Sequence, residues 1–218
     1  MTQRLRVQNF TVSRDGIAAG ADQTLEQPFG HDVNPMELMS WAAGTASWSN
    51  RLDSGGSRGF EDRLTRDFTH GIGAEIMGRH KFGPRSGPWP DETWEGWWGE
   101  EPPFHTPVFV LTSHPRPPLV KGETTFHFLD ATPTEALEQA KAAAGGLDVR
   151  LGGGVTTLRA FLAADLIDEL HVAIAPIALG TGLKLWDRPE ELEDRFHLEQ
   201  ITAGSGVTHC FLWRRRVA

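Results

Sequence analysis

The chain has 218 residues, near the upper end of the range for one domain and long enough for a sizeable core. Its net charge of −8 argues against a nucleic-acid partner or an anionic membrane surface. A single cysteine, Cys210, excludes an intramolecular disulfide framework, and no apolar run has the length of a signal peptide or a membrane span. We therefore expect a cytoplasmic protein in which Cys210 is a buried, structural thiol.

The first third of the chain predicts one strand, a long loop and two helices. Leu5–Val12 has β-type residues with partial alternation, and residues 13–35 are rich in Gly, Asp, Asn and Pro. The latter predict a loop without an element of its own, and loops of that length are usually functional or mobile. One helix is predicted over residues 35–50, with proline in its first turn, and a short one over residues 60–72.

The middle of the chain contains a tryptophan-rich insert between predicted strands. Strands are predicted at Ala74–Gly78 and, after the insert, at residues 108–113 and 124–129. The insert, residues 83–107, holds four of the eight tryptophans among prolines and glycines. Its rings could cap a flat heterocycle, or they could pack as a local cluster or a subunit contact. Packing is favoured, because aromatic clusters are more often core or interface than ligand boxes.

The last third predicts an alternation of helices and strands. Thr132 and Glu135 form a predicted capping box, with Gly145 and Gly146 as the helix stop. The remaining predicted elements are strand 148–154, helix 155–166, strand 168–179 and the paired strands 195–203 and 207–215. This order predicts a single α/β domain over residues 1–218, with a mostly parallel central sheet and an antiparallel C-terminal edge.

Three consecutive glycines, Gly152, Gly153 and Gly154, stand where a predicted strand becomes a helix. They permit either a tight turn that needs a positive φ or close approach of an anion to the helix N-terminus. One glycine would suffice for the turn, so three favour a phosphate site, to which Thr156 and Thr157 would add hydroxyl groups. The spacing is neither the dinucleotide-binding Gly-x-Gly-x-x-Gly nor a phosphate-binding loop ending in Gly-Lys-Ser/Thr.

Two further groups of polar residues follow predicted strands. Arg79 and His80 come directly after a strand ending at Gly78, and Thr112, Ser113 and Arg116 follow the next strand. Each group alone is a weak signal for a site. Ligands of α/β sheets bind at the carboxyl ends of strands, so the shared position raises the expectation of one site.

The segments "TVSRDGIAAG", "IMGRHKFG", "VFVLTSHPR", "DVRLGGGVTTLRAFLAADLIDELHVAIAPIALGTG" and "THCFLWRR" together resemble the dihydrofolate reductase-like superfamily. Within it, the chain is similar to stand-alone relatives of the reductase domain of the bifunctional riboflavin-biosynthesis deaminase-reductase. The resemblance covers nearly the whole chain and implies a dihydrofolate reductase-like three-layer fold.

This resemblance implies an NADPH site. The pyrophosphate would lie on Gly152, Gly153, Gly154, Val155, Thr156 and Thr157. The cofactor phosphates would meet Gly78, Arg79 and His80, and Thr112 and Ser113 would lie beside the adenosine and its 2′-phosphate. The main chain of residues 11–13 and 17–19, including Val12, Ser13, Ile17 and Ala18, would line the nicotinamide. The family is often dimeric, so a homodimer paired through the last strands is expected.

The catalytic group is not evident from the sequence. Dihydrofolate reductases hold the pteridine with a carboxylate on the first helix, and the nearest acids here are Glu37 and, in the preceding loop, Asp15 and Asp22. Arg51 and Arg58 are the basic candidates for a phosphoribosyl group. The nine histidines show no metal-binding spacing, so no metal site is expected.

We therefore predict an NADPH-dependent reductase of a small heterocyclic substrate, most like 5-amino-6-(5-phosphoribosylamino)uracil reductase of riboflavin biosynthesis. The alternatives are a dihydrofolate- or pterin-reductase-like activity and a nucleotide-binding module without catalysis. In each reductase hypothesis the cofactor carries the chemistry and the protein supplies binding and orientation.

Overall fold

The computed structural model describes residues 2–31, 33–49, 55–83, 87–89 and 93–215. The chain forms two compact units, each assembled from separate segments. The first comprises Met1–Arg6, Gln23–Pro28 and Gly71–Asp168, and the second comprises Val7–Asp22, Phe29–His70 and Glu169–Ala218. Whether they count as the single predicted domain stays a prediction.

The described residues form eleven strands, seven short to medium α-helices and one 3₁₀ helix. The strands are β1 (Leu5–Ser13), β2 (Ile17–Ala19), β3 (Ile72–Gly78), β4 (Pro107–Leu111), β5 (Leu119–Lys121), β6 (Thr124–Leu129), β7 (Asp148–Leu151), β8 (Glu169–Ala175), β9 (Leu183–Lys184), β10 (Phe196–Thr202) and β11 (Thr208–Arg214). The helices are α1 (Pro35–Leu38), α2 (Ser40–Ala43), α3 (Ala46–Ser49), α4 (Phe60–Arg66), α5 (Arg79–Phe82), α6 (Pro133–Ala143) and α7 (Val155–Ala163), with the 3₁₀ helix at Pro189–Leu192.

Nine of these strands hydrogen-bond in the order β10-β11-β8-β1-β7-β3-β4-β6-β5. The pairs β1–β7, β7–β3, β3–β4 and β4–β6 are parallel. Antiparallel pairs lie at both edges, β5–β6 at one and β8–β11–β10 at the other. The predicted α/β class, mostly parallel sheet and antiparallel C-terminal edge are confirmed, and the second antiparallel edge is additional.

The first unit places the ends of three parallel strands side by side. β7, β3 and β4 are neighbours, so the turns after them emerge at the same edge of the sheet.

The predicted capping box of α6 is present, with Thr132 accepting from the Glu135 N–H while the Glu135 carboxylate accepts from the Thr132 N–H. Helix α7 buries an apolar face, which consists of Val155, Leu158, Phe161 and Leu162.

The second unit combines the antiparallel strands with short helices. β10 and β11 pair over their full lengths, and β11 pairs with β8, which confirms the predicted terminal strand pair. A small core joins Trp41 and Ala42 of α2 to Ala173 of β8 and to Val207. Cys210 of β11 is buried, as predicted, and burial together with Glu190 raises the pKa of its thiol to about 12.

Two sequence predictions for the second unit are wrong. Residues 35–49 form three short helices, α1, α2 and α3, instead of one. The buried Thr45 interrupts the last two, because its hydroxyl donates to the Ala42 carbonyl while its backbone bridges to Ser57. The loop over residues 13–35 contains a strand, β2, whose partner β9 lies far along the chain and gives no local signal.

Candidate functional site

The glycine turn, which we define as Gly152–Gly154, joins β7 to α7 in the first unit. None of its three glycines has a positive φ, so the interpretation as a left-handed tight turn is wrong. A Cβ on Gly154 would meet nothing within 4 Å, and one on Gly153 would make ordinary contacts. Neither the backbone nor the packing therefore requires these two glycines. A side chain at Gly154 would point into open space.

The turn also opens helix α7 without a side-chain cap. Gly154 is the N-cap residue in an extended conformation and has no side chain to accept a hydrogen bond. The first intrahelical bond runs from Leu158 N–H to Gly154 O at 3.1 Å, so the N–H groups of Val155, Thr156 and Thr157 precede the helical ladder. These donors and the positive end of the helix dipole favour an anion at this point.

The turn after β3 fits against the glycine turn. A Cβ on Gly78 would collide with the Thr157 hydroxyl, and Gly78 N lies 3.4 Å from the Cβ position of Gly153. Gly78 is buried at the N-cap of α5, the short helix that carries Arg79 and His80. The structure therefore brings together two of the three predicted groups of site residues.

Arg79 is the most unusual of these residues, because it is a buried cation with incomplete partners. Its side chain is only 9% exposed, and its guanidinium carbon lies 3.2 Å from the centroid of the Trp89 ring. Nη1 donates to Thr112 Oγ1 at 3.3 Å and to Gly87 O at 3.4 Å. Nε and Nη2 have no hydrogen-bond partner among the described residues. Burial, followed by the charge of Arg116, lowers the pKa of Arg79, so an anion here would relieve an unfavourable environment.

The third predicted group, after β4, adjoins Arg79. Thr112 is buried and accepts hydrogen bonds from both Arg79 Nη1 and the His114 N–H. Ser113 is exposed, with its Oγ 3.0 Å from His114 Nδ1, and His80 is also exposed. Arg116 also lies against the Trp89 ring, with its guanidinium carbon 4.3 Å from the ring centroid. Its Nη2 donates a hydrogen bond to Trp94 O. Two cations, Arg79 and Arg116, therefore lie against the indole ring of Trp89.

Sequence reasoning missed Lys81, the next residue of α5. A Cβ on Gly152 would lie 2.5 Å from Lys81 Nζ and 3.7 Å from Glu75 Oε2. The lysine amine therefore occupies the side-chain space of the first glycine of the turn. The only sequence signal is its place in "GRHK", directly after two residues that were already candidates.

The residues predicted to line the nicotinamide lie in the second unit, at the end of β1 and in β2. The side chains of Val12, Ser13 and Ile17 are buried, and Ala18 is half-buried, so side-chain contact with a ligand is restricted there. Ser13 Oγ accepts from the Ile17 N–H at 3.1 Å and closes the turn between the two strands. Whether the main chain of these residues lines a nicotinamide stays a prediction.

The two candidate catalytic carboxylates have different surroundings. Burial opposes ionisation of Asp15, but hydrogen bonds from the Ser13 hydroxyl and the Gly180 and Leu179 N–H groups outweigh it and lower its pKa to about 2. These hydrogen bonds therefore favour the ionised form of Asp15. Glu37 is exposed and accepts a hydrogen bond from Asn34 Nδ2 at 3.2 Å. Their catalytic roles stay predictions.

The basic candidates for a phosphoribosyl group are only partly visible. Arg51 lies outside the described residues, and Arg58 is exposed just before α4. Asp22, the third acid considered, is exposed and has a positive φ of 53°.

The tryptophan-rich insert packs against the core of the first unit. Trp89, Trp94 and Trp98 lie on a cluster that includes Phe82 and Phe126. The indole N–H groups of Trp89 and Trp94 donate to backbone carbonyls of His114 and Phe82. For these three rings the packing interpretation agrees with the structure. Pro84–Ser86 and Pro90–Glu92 of the insert lie outside the described residues.

The described residues also bear on metal binding and membrane crossing. No group of three or more His, Cys, Asp or Glu side chains in them is arranged to hold a metal ion. None of their helices combines the length and the apolar character that crossing a bilayer requires.

The chain is similar to known proteins both in its sequence family and in its structure. A family model described as the RibD C-terminal domain matches residues 7–209. A protein assigned provisionally to riboflavin biosynthesis, from Shewanella sp. PV-4, superposes with a TM-score of 0.56 at 19% identity, over 99% of this chain and all of the other. Acinetobacter baumannii RibD superposes with a TM-score of 0.53 at 16% identity. This chain covers 58% of that protein's length. No curated protein matches by sequence.

Proposed function

Because the chain belongs to the RibD C-terminal domain family, we propose that it is an NADPH-dependent reductase of a small heterocyclic substrate. The substrate most in keeping with that family is the phosphoribosylamino-pyrimidine of riboflavin biosynthesis. The observation that carries the proposal is the glycine turn, whose last two glycines have neither a positive φ nor a close neighbour that would explain them.

The residues present fit a dinucleotide with a diphosphate and a 2′-phosphate. The glycine turn and the uncapped start of α7 offer backbone N–H groups to a diphosphate. Arg79 offers two unused, buried donor atoms to a second anionic group, beside the hydroxyl group of Thr112. A buried guanidinium with unused donors is costly unless a ligand completes it, so the arrangement favours NADPH over NADH.

When bound, the dinucleotide would supply a hydride. The protein's part is to bind and orient. The glycine turn and α7 would fix the diphosphate, and Arg79, Thr112 and Trp89 would fix the phosphate and the flat base beside it. In the second unit, the ionised Asp15 holds the Leu179 and Gly180 main chain in place, so its role is to position the loop and not to donate a proton.

The direct test is a titration with NADPH and, separately, with NADH, followed by quenching of tryptophan fluorescence and energy transfer to the nicotinamide. We expect saturable binding that is at least about tenfold tighter for NADPH, because a charge-assisted hydrogen bond contributes about 1.5–3 kcal/mol. Turnover is then measured with the ribosylamino-pyrimidine and with dihydrofolate, which separates the two reductase hypotheses. Binding without oxidation of NADPH by any substrate would favour the non-catalytic binding module, and absence of binding would refute the site.

A further inference from the structure

The ammonium group of Lys81 stands directly against the glycine turn, inside the first unit. Its Nζ lies 2.5 Å from the point that a Cβ of Gly152 would occupy, so it fills the space beside the first glycine. No other side chain reaches that point as closely; the next is Glu75 Oε2, at 3.7 Å. Lys81 is half-buried, and its Nζ also lies 5.8 Å from the centroid of the Phe104 ring.

Lys81 is one of two cations that lie close to the buried carboxylate of Glu75. Glu75 of β3 is fully buried, and its Oε1 forms an ion pair with Arg150 Nη2 of β7 at 2.5 Å. That pair is neutral. Lys81 adds a second cation to it, and its amine has no hydrogen bond or ion pair among the described residues. Arg79 and His80, its neighbours on α5, bring no negative charge to this corner.

This environment disfavours the protonated amine. Burial, and then the charge of Arg150, lower the pKa of Lys81 to about 8, although Glu75 raises it in part. A phosphate that approaches the glycine turn would meet the amine directly. Its negative charge would restore the usual preference of lysine for the protonated form.

We propose that Lys81 is a ligand of the diphosphate at the glycine turn and that it takes up a proton when the diphosphate binds. The inference rests on the proposed function, because it requires a dinucleotide at that turn. It assigns to the site a residue that acts by charge, whereas the glycines and α7 act through the backbone. Binding and the protonation of Lys81 are then linked, so each favours the other.

The experiment is isothermal titration calorimetry of the full chain with NADPH at pH 8, in buffers of different ionisation enthalpy. The slope of the observed enthalpy against the buffer enthalpy gives the number of protons taken up. Because the pKa of Lys81 is lowered towards the pH of the experiment, part of the Lys81 amines are neutral before binding, so we expect a measurable uptake of less than one proton. The uptake should fall towards zero at pH 6.5, where the amine is already protonated.

Two substitutions distinguish the effect of a positive charge at position 81 from the uptake of a proton by Lys81. Lys81→Met should abolish the uptake and weaken NADPH binding about tenfold or more. Lys81→Arg should keep most of the affinity but show no uptake at pH 8, because a guanidinium stays protonated. Lys141→Met, the same change in the last turn of α6, should leave both quantities unchanged. Circular dichroism of each variant confirms that it is folded.

The outcomes are distinguishable from those that test the proposed function. Normal NADPH affinity in Lys81→Met, or an uptake that persists in it, overturns the role of Lys81 and leaves the reductase proposal standing. An uptake that accompanies ribose 5-phosphate but not NADPH also overturns it, since the anion would then be a substrate phosphate. Absence of NADPH binding by the unmodified chain overturns both.

Discussion

The hydroxyl of Thr157 occupies the space that a side chain at Gly78 would need. Gly78 ends β3 and Thr157 lies in the first turn of α7, so this contact holds together two turns that are distant in sequence. Arg79, the next residue after Gly78, begins the short helix α5. Packing between two backbone segments, and not a loop sequence alone, therefore defines this part of the candidate site.

Gly78→Ala should push Thr157 away and lower both stability and NADPH affinity. Forcing a methyl group into a packed contact costs about 1–3 kcal/mol, which denaturant unfolding measures as a lower midpoint. Thr157→Ala removes the colliding oxygen, since the Thr157 Cβ lies at 3.4 Å from the new methyl position. The double variant should therefore recover most of the stability lost by Gly78→Ala. Strict additivity of the two changes would argue against this contact.

Gly154→Val should abolish or sharply weaken NADPH binding without unfolding the protein. The residue has φ −83° and ψ 173°, which a β-branched residue adopts readily, and its Cβ would meet no protein atom within 4 Å. The new side chain would instead enter the space assigned to the diphosphate. Gly152→Val is a poorer test, because its Cβ meets the Lys81 amine before any ligand.

The matched control for that experiment is Gly204→Val in the turn between β10 and β11, where a Cβ also meets nothing within 4 Å. Fluorescence titration should give the parental affinity for this control and at least a tenfold loss for Gly154→Val, corresponding to about 1.4 kcal/mol or more. Equal NADPH affinity in both variants would show that the diphosphate does not bind at the glycine turn.

Arg79→Met should reduce the preference for NADPH over NADH more than it reduces NADH binding itself. Methionine keeps an apolar contact with the Trp89 ring but offers no donor to a 2′-phosphate, whereas Nε and Nη2 of the arginine are available for one. We expect the ratio of the two dissociation constants to fall about tenfold or more. Arg63→Met, at an exposed position of α4, serves as the control. An unchanged ratio of the dissociation constants in Arg79→Met would show that other residues determine the preference for NADPH.

Two buried histidines of the second unit should make the protein sensitive to acid. The Asn9 N–H donates to His171 Nδ1 at 3.1 Å, and His171 Nε2 lies 3.0 Å from His209 Nδ1. His209 Nε2 is in turn 3.2 Å from Glu61 Oε1. Burial, followed by the proximity of His209, lowers the pKa of His171 to about 3. Burial also lowers the pKa of His209, although Glu61 partly opposes this.

The sign of the pH dependence follows from these shifts. Between pH 6.5 and 3 the unfolded chain binds a proton on His171 that the folded chain does not, so acid favours unfolding. The contribution of His171 to stability should be fully present above pH 6.5 and should be lost below it, by up to about 1.4 kcal/mol for each pH unit. Denaturant midpoints from pH 7.5 to 4.5 measure the slope. His171→Gln should reduce it and His197→Gln, an exposed position of β10, should not; equal slopes in all three proteins would show that other groups control acid unfolding.

Local patterns predicted the elements whose boundaries are set by neighbouring residues. The capping box of α6 and the paired β10 and β11 are of this kind. The break of the helix at Thr45 was not predictable, because it depends on a bridge to Ser57 across a loop. Strand β2 was likewise hidden, since three residues acquire a strand conformation only when β9 pairs with them.

The residues of the candidate site also divide into those that the local sequence predicted and those that depend on contacts between distant parts of the chain. The glycine turn, Arg79 and Thr112 were predicted because each follows an apolar strand, and the structure brings them to one edge of the sheet. Lys81 was not predicted, because its importance comes from proximity to Gly152, which is remote in sequence. The unused donors of Arg79 are also a property of packing, since the surrounding residues satisfy only one of its three nitrogens.

The position of β7 has a consequence for how the protein is made. This strand lies between β1 and β3, both of which precede it by a long stretch of chain. During synthesis, β1 and β3 therefore emerge before the strand that must be inserted between them, and each has an open edge until it arrives. The glycine turn is the immediate continuation of β7. A nascent chain thus gains the glycine turn in the same step that joins β1 to β3, and a fragment ending before residue 148 would have neither.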